Sequence, residues 1–449
     1  MSWKNRWMSV AVAALLGLGS TAIGQQLGVP TLPAPGVTTV GVELGKDKPA
    51  KPADPKPAAE PVKTVVVDGC NTGCCDNRCD GWGPAMPGHA KLGLSFMPNC
   101  CGHNDKIDIY GWADMGYTYS SRGGGALAVQ PRENRFGNEF LVNQLAVVFE
   151  KKLRQDHTFN FGFNATFYAG ADAALLRPAG GFTTTNQRFG ADFRQLFVSA
   201  HLPILTEGGM DVQVGRMGTP IGFNSAMAPY RPFYSSDYQW FYAEDGAWTG
   251  ILTNLHVNKQ LDVVNAITMG ANTFFTYRGN GPTYLGQVNY WTSEAKTTQL
   301  STSLQVGNQA IFAAGPQFVG SNDVALTFMI VHQWNKCLTQ IVQSSLVWGT
   351  EVPNIGTSEF YSLYSIWQHH TTKEIDTNFR LEWARDVQGS RIGTRAHFGE
   401  ASFGFDYHPS KLLRIRPEIR TDFSDRPALG PNGNRQFLLT LGIDAILSF

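Results

Sequence analysis

The chain has 449 residues, of which 43% are hydrophobic and only 16% charged, with 36 basic residues against 36 acidic ones. Soluble domains carry about 25% charged residues, so this composition fits either a weakly charged soluble protein or a membrane barrel with an apolar outer face and a polar lumen. The lack of a basic excess argues against nucleic acid as a partner, and no run of 18 apolar residues predicts a transmembrane helix.

Residues 1–24 have the organisation of a secretory signal peptide. Lys4 and Arg6 form a short basic region, nine apolar residues follow, and the small residues Ala22 and Gly24 precede a plausible cleavage point. The apolar core is shorter than the roughly 20 residues of a spanning helix. An N-terminal core helix is the alternative, but the pattern favours export and a mature chain with 34 basic and 36 acidic residues.

Two segments of unusual composition follow the leader. Residues 25–68 contain eight prolines and no aromatic residue, so they cannot bury enough apolar surface to fold and are predicted to be a disordered tether. Residues 69–102 are rich in cysteine, which in an oxidising compartment predicts a small disulfide knot. Metal binding and cross-linking to another envelope component are the alternatives, and the connectivity stays open. The candidate disulfide residues are Cys70, Cys74, Cys75, Cys79, Cys100 and Cys101.

From residue 103 to 449 apolar and polar residues alternate with a period of two, which is typical of β-strands. In the run 159–167, for example, Phe occupies four of the five odd-numbered positions. There are about fifteen such runs, and bacterial single-chain barrels use even strand numbers. The pattern therefore predicts an all-β fold, a transmembrane antiparallel up-and-down β-barrel of about 16 strands, with 14 as the alternative.

The last predicted strand reaches the C-terminal Phe449, with apolar residues at every second position back to Phe437. A terminal aromatic residue on such a strand resembles the signal by which outer-membrane proteins are recognised for assembly. A soluble sandwich would more often end in a frayed polar tail. An exported chain without spanning helices can cross lipid only as a closed barrel, so the pattern favours the outer membrane.

One face of the predicted strand 413–423 carries five consecutive charged residues, and the run 375–384 has a similar face. In a soluble sandwich this face would lie in open water, whereas in a membrane barrel it would line an aqueous lumen. The charges nearly balance, which predicts weak ion selectivity. The candidate pore-lining residues are Asp376, Arg380, Glu382, Arg414, Arg416, Glu418, Arg420 and Asp422.

Residues 218–245 form the longest stretch without alternation and are rich in proline and aromatic residues. Long ordered loops are usually functional. The composition is compatible with a segment folded into the barrel that narrows the pore, and equally with an extracellular cap on the rim.

The segments 138–145, 192–203, 212–222 and 232–238, followed by Trp248-Thr-Gly, resemble the OmpL-like β-barrel porin family. The resemblance extends over roughly residues 105–449, and its most specific element is the sequence Gly-Arg-Met-Gly-Thr-Pro-Ile-Gly. It implies an outer-membrane porin without catalytic residues. The tether and the cysteine-rich segment lie outside it.

The function predicted is passive diffusion of small hydrophilic solutes through an outer-membrane channel, and the alternative is an envelope protein anchored through its N-terminal cysteines. No serine-hydrolase, zinc-protease or phosphate-loop motif is found, so no enzymatic activity, cofactor or metal is predicted. The paired His369 and His370 have no carboxylate at ligand spacing and are interpreted as a strand end. The expected partners are outer-membrane lipid and solutes, and a homotrimer is compatible with a 16-stranded porin.

Overall fold

The computed structural model describes residues 92–94, 107–127, 134–182, 187–244, 246–277, 281–310, 320–352 and 355–449. The predicted signal peptide 1–24 and tether 25–68 lie outside these residues. So does the cysteine-rich segment 69–102 with its six candidate disulfide cysteines, apart from the short strand Leu92–Leu94.

In the described part of the chain, sixteen antiparallel strands of 9 to 16 residues form the wall of the molecule. Their number agrees with the count of 16 predicted from alternation. They are β1 (Ile107–Ser120), β2 (Glu139–Lys151), β3 (Asn160–Gly170), β4 (Gly190–Leu202), β5 (Met210–Gly218), β6 (Ala247–Asn258), β7 (Leu261–Ala271), β8 (Thr283–Trp291), β9 (Thr298–Ala310), β10 (Gly320–Asn335), β11 (Leu338–Val352), β12 (Gly356–His370), β13 (Ile375–Asp386), β14 (Ala396–Tyr407), β15 (Leu413–Ser424) and β16 (Phe437–Ser448).

The sheet closes on itself. Each strand pairs with its neighbours in sequence, and β16 pairs with β1 from Thr440 opposite Ser120 to Ser448 opposite Trp112. Backbone groups of Phe449 and β1 exchange two further hydrogen bonds of 3.0 Å. Every one of these sixteen strands therefore has a partner on both sides, which meets the requirement of lipid that no backbone edge be left open.

The two faces of the wall differ in polarity. On β16, Leu441 and Leu447 are exposed, whereas Thr440 and Asp444 on the other face are buried. The same division recurs along the other long strands, where the exposed positions are aliphatic and aromatic. An outer surface of apolar side chains is what a barrel presents to the hydrocarbon of a membrane.

The two ends of the barrel carry connections of different length. At the end where β1 begins and β16 finishes, the turns are short, with two residues at 259–260 and at 336–337. The longer connections lie at the other end, among them 219–246 between β5 and β6. In outer-membrane barrels, short turns face the periplasm and long loops face the outside.

Two short helices occur within these longer connections: α1 (Ala171–Leu175) and α2 (Tyr238–Ala243). A single 3₁₀ turn, Ala228–Tyr230, precedes α2. Two strand pieces, Gly125–Ala126 and Phe136–Gly137, form a small separate ladder between β1 and β2. In the ranges that the structure describes, no helix is long and apolar enough to cross a membrane.

Candidate functional site in the barrel lumen

Residues 219–244, called the inner segment below, lie inside the barrel. The backbone of this segment accepts a hydrogen bond of 2.8 Å from Gln287 on β8 and donates bonds of 3.0 Å to Gln144 on β2 and to Gln343 on β11. These strands stand on different sides of a closed sheet, so a chain bonded to all three must run through the interior. Of the two placements compatible with the sequence, the structure therefore shows the one within the barrel.

The wall residue Glu382 holds the beginning of α2. Its carboxylate accepts hydrogen bonds from the backbone amides of Tyr238 at 2.6 Å and Gln239 at 2.7 Å. The side chain of Asp237 accepts a third bond, of 2.7 Å, from the amide of Trp240. The first amides of a helix have no partner within the helix. Here Glu382 on β13 and the N-cap residue Asp237 accept their hydrogen bonds, so wall and segment together stabilise the beginning of α2.

Four arginines of β13 and β15 bind backbone carbonyl groups of the inner segment. Arg380 donates to the carbonyl oxygen of Ser235 at 3.0 Å, and Arg414, Arg416 and Arg420 make equivalent contacts from β15. Irregular backbone leaves carbonyl groups without the partners that a helix or sheet would provide, and a guanidinium offers five donors. The wall arginines thus donate the hydrogen bonds that backbone carbonyl groups of the inner segment would otherwise receive in a helix or a sheet.

Each of these arginines also has a carboxylate partner, because a buried charge needs an opposite charge and hydrogen bonds to be tolerated. The four pairs are Arg380–Glu400, Arg414–Asp406, Arg416–Asp444 and Arg420–Asp422. The partners on β14 and β16 were not among the residues predicted from the sequence. The period-two pattern places them on the polar face, but it does not say which residue stands beside which on the next strand.

The eight residues predicted to line the pore divide into two groups. Seven of them, on β13 and β15, are at least nine-tenths buried and contact the inner segment. Among these, Glu418 accepts a hydrogen bond of 3.0 Å from the amide of Ser235, and Asp422 accepts one of 3.0 Å from the hydroxyl of Tyr238. The eighth, Asp376, is partly exposed at the short-turn end, 2.7 Å from the ring of His370.

The inner segment also places a charge against β1, which is two strands from β15 in the closed sheet. Arg231 lies 3.8 Å from Asp114 on β1 and 3.6 Å from Asp172 in α1. Asp172 also accepts hydrogen bonds from Asn143 at 3.1 Å and Gln144 at 2.6 Å. The inner segment is thus attached electrostatically to β1 and α1 as well as to β13 and β15.

The sequence matches the family described as "Putative beta-barrel porin-2, OmpL-like" over residues 106–449. This match includes all sixteen strands and the inner segment. The tether 25–68 and the whole cysteine-rich segment 69–102 lie outside it, as the resemblance seen in the sequence implied. No curated protein sequence matches the chain.

Several solved structures have a similar fold. The outer membrane channel DcaP of Acinetobacter baumannii superposes with a TM-score of 0.53 at 10% identity, covering 77% of this chain and 97% of that one. An anion-selective porin from Comamonas acidovorans gives 0.52 at 10% identity, with coverages of 76% and 99%. The outer membrane protein OmpT of Vibrio cholerae gives 0.51 at 8% identity, with 77% and 97%.

At such low identity these similarities establish the fold alone, whereas the family match extends over most of the chain. Family and fold together indicate a channel rather than an enzyme. The closed barrel, its apolar outer face and the family match agree with the location predicted from the sequence. The chain belongs to the OmpL-like β-barrel porin family and is a porin of the outer membrane.

Proposed function

We propose that the protein is a passive channel for small hydrophilic solutes in which the inner segment limits what passes. The observation that carries this proposal is the attachment of residues 219–244 to strands on several sides of the lumen. Irregular backbone is tolerated at membrane depth only where it is buried in protein or lines an aqueous cavity. A segment of this kind reduces the open cross-section of the barrel that surrounds it.

The eight charged residues have two roles in this proposal. Asp376, which is partly exposed, borders the aqueous path at the short-turn end. The seven buried ones on β13 and β15 position the inner segment, which then forms the other border of the path. Since they lie mainly in pairs of opposite sign, we expect the channel to discriminate weakly between anions and cations.

Three further parts of the proposal concern the rest of the molecule. The protein has no catalytic activity of its own, and it assembles as a homotrimer. The six cysteines in residues 69–102 close a disulfide knot, or alternatively link the barrel to another envelope component. Extraction of the protein from membranes with and without a reductant tests the anchoring alternative. If the cysteines link the barrel to another component, the protein should become extractable once its disulfides are reduced.

Planar-bilayer recording of the purified, folded full chain tests the channel. We expect stepwise conductance increments with nearly equal permeability to anions and cations, smaller than those of an unobstructed 16-stranded barrel. Well-folded protein that inserts into the bilayer without any conductance step would contradict the proposal. Uptake of neutral sugars of increasing size into liposomes then measures the size limit.

A further inference from the structure

A row of ionisable side chains crosses the inner wall at the short-turn end. His370 is the last residue of β12 and lies directly opposite Asp376 on β13, which in turn lies directly opposite Asp406 on β14. His408 follows two residues after Asp406, in the turn that leads to β15. Two carboxylates on directly opposed positions repel each other, so this row needs positive charge between its members.

Cationic and protonatable groups flank the two carboxylates. Arg414 on β15 is paired with Asp406, and the rings of His370 and His408 lie beside Asp376. A neutral imidazole offers a ring nitrogen as a metal ligand, and a carboxylate offers its oxygens. The row therefore brings together the ligand types that a metal ion needs.

The geometry has the spacing of a metal site. The possible ligand atoms of Asp376, Asp406 and His408 all lie within 4.8 Å of one another. Among the residues that the structure describes, this is the one such group of three or more His, Cys, Asp or Glu side chains. His408 Nε2 is 3.1 Å from Asp406 Oδ1 and 3.5 Å from Asp376 Oδ2. Tetrahedral zinc, with ligands at about 2.0–2.2 Å, has its ligand atoms roughly 3.3 Å apart.

The imidazole of His408 gives a second, independent indication. Its side chain is only 9% exposed, yet Nε2 has no hydrogen-bond partner among the described residues. Two carboxylate oxygens lie at 3.1 and 3.5 Å from this nitrogen, so the angle rather than the distance accounts for the missing hydrogen bond. A buried polar atom without a partner is costly, and a cation at that point would accept the nitrogen lone pair.

We propose that Asp376, Asp406 and His408 bind a divalent transition-metal ion of the zinc class on the lumen wall at the short-turn end of the barrel. One nitrogen and two carboxylate oxygens suit zinc, which leaves a fourth position to water or solute. His370 and Arg414 act as positioning residues, since each holds one of the two carboxylates. Residues that orient metal ligands in this way commonly surround such sites.

Two features favour this location: an ion can reach it from solution, and it is linked to the inner segment. Asp376 is 16% exposed and His370 is 37% exposed, so an ion can reach the row from solution. Arg414 also donates a hydrogen bond to the carbonyl of Pro229 in the inner segment. An ion bound by Asp406 would therefore lie one residue away from the segment that limits the passage.

Calorimetric titration of Zn²⁺ into the metal-stripped, folded full chain in detergent tests the proposal. The cysteines are first alkylated, because thiolates also bind zinc. We expect one Zn²⁺ per chain at this row. The variants H408Q and D376N should each lower the affinity by at least about 100-fold, and H370Q by about 10–100-fold, as for other residues that orient a ligand.

A second group of histidines and carboxylates supplies the matched control. His201, Asp211 and His256 lie at the same end on β4, β5 and β6, where one carboxylate bridges the two rings at 2.7 and 3.2 Å. H256Q should leave Zn²⁺ binding unchanged. Mg²⁺, which demands octahedral oxygen ligands, should not compete with Zn²⁺.

Two outcomes would overturn the proposal: no Zn²⁺ binding by the alkylated wild-type chain, or equal binding by wild type and H408Q with the barrel intact on unheated gels. If D376N does not fold, H408Q decides alone, since His408 lies in a turn outside the strands. Calorimetry requires no conductance, so the result stands apart from that of the channel proposal.

Discussion

Glu382 on the barrel wall accepts a hydrogen bond of 2.6 Å from the backbone amide of Tyr238, the first residue of α2. The two residues are 144 positions apart in the chain. The contact joins the charged face of β13 to the segment inside the lumen. The position of this segment therefore depends on Glu382, a side chain that the sequence pattern alone predicts to line an open aqueous pore.

Removing this contact should release the inner segment. E382A leaves the amides of Tyr238 and Gln239 without their acceptor, at a cost of about 1–3 kcal/mol for each buried donor. We expect a larger and noisier single-channel conductance than in the wild type. E139A is the matched control, because Glu139 pairs with exposed Arg188 at the long-loop rim. Equal conductance of E382A and the wild type would contradict the role given to this contact.

The pair of Arg416 and Asp444 should be important for stability. Arg416 also donates to the carbonyl groups of Ala228 at 3.0 Å and Arg231 at 2.6 Å. R416M leaves a buried carboxylate without its counter-charge, and breaking such a pair typically costs about 3–5 kcal/mol. Urea unfolding in lipid vesicles measures this loss. The double variant R416M/D444L should recover a substantial part of it, and a double variant as unstable as R416M would refute the explanation.

Gly116 on β1 leaves space for the inner segment. A Cβ atom at this position would lie 2.5 Å from Cζ of Tyr234, whose ring is fully buried and whose hydroxyl donates to Asn143 at 3.0 Å. Overpacking of this kind costs about 1–3 kcal/mol. G116A should therefore displace Tyr234, lower the stability and raise the conductance. G281A, where a Cβ atom meets nothing within 4 Å, should change neither.

The orientation of the strands can be tested on the outer face. Leu381 is at the middle of β13 and is 48% exposed. An arginine on the lipid face near the bilayer midplane destabilises a barrel by about 2–4 kcal/mol. L381R should show a loss of this size in vesicles, whereas T372R, in an exposed turn, should show less than about 1 kcal/mol. Similar stabilities of the two variants would argue against Leu381 facing lipid.

The surroundings of His370 differ from those that the sequence predicts. The sequence predicts a strand end without a carboxylate at ligand spacing. His370 does end β12, but Asp376 stands 2.7 Å away on β13. The turn between β12 and β13 has only four residues, so His370 and Asp376 face each other across the hairpin. The spacing of residues within one strand does not reveal this carboxylate. Pairing the residues on either side of the short turn would reveal it.

The sequence by itself determined the all-β class, the number of strands and the face on which each residue of a strand lies. These properties follow from a local rule, because side chains of a strand alternate between its two sides. The charges on β13 and β15 were recognised as inward-facing for the same reason.

Only the tertiary structure decided what those charges contact. Whether Arg416 lies beside Asp444 depends on the register between β15 and β16, and whether Glu382 meets water or Tyr238 depends on the path of the inner segment. Both are set by closure of the barrel, which brings distant parts of the chain together. No periodicity within a single strand carries that information, so the sequence alone does not determine that the inner segment lies within the lumen.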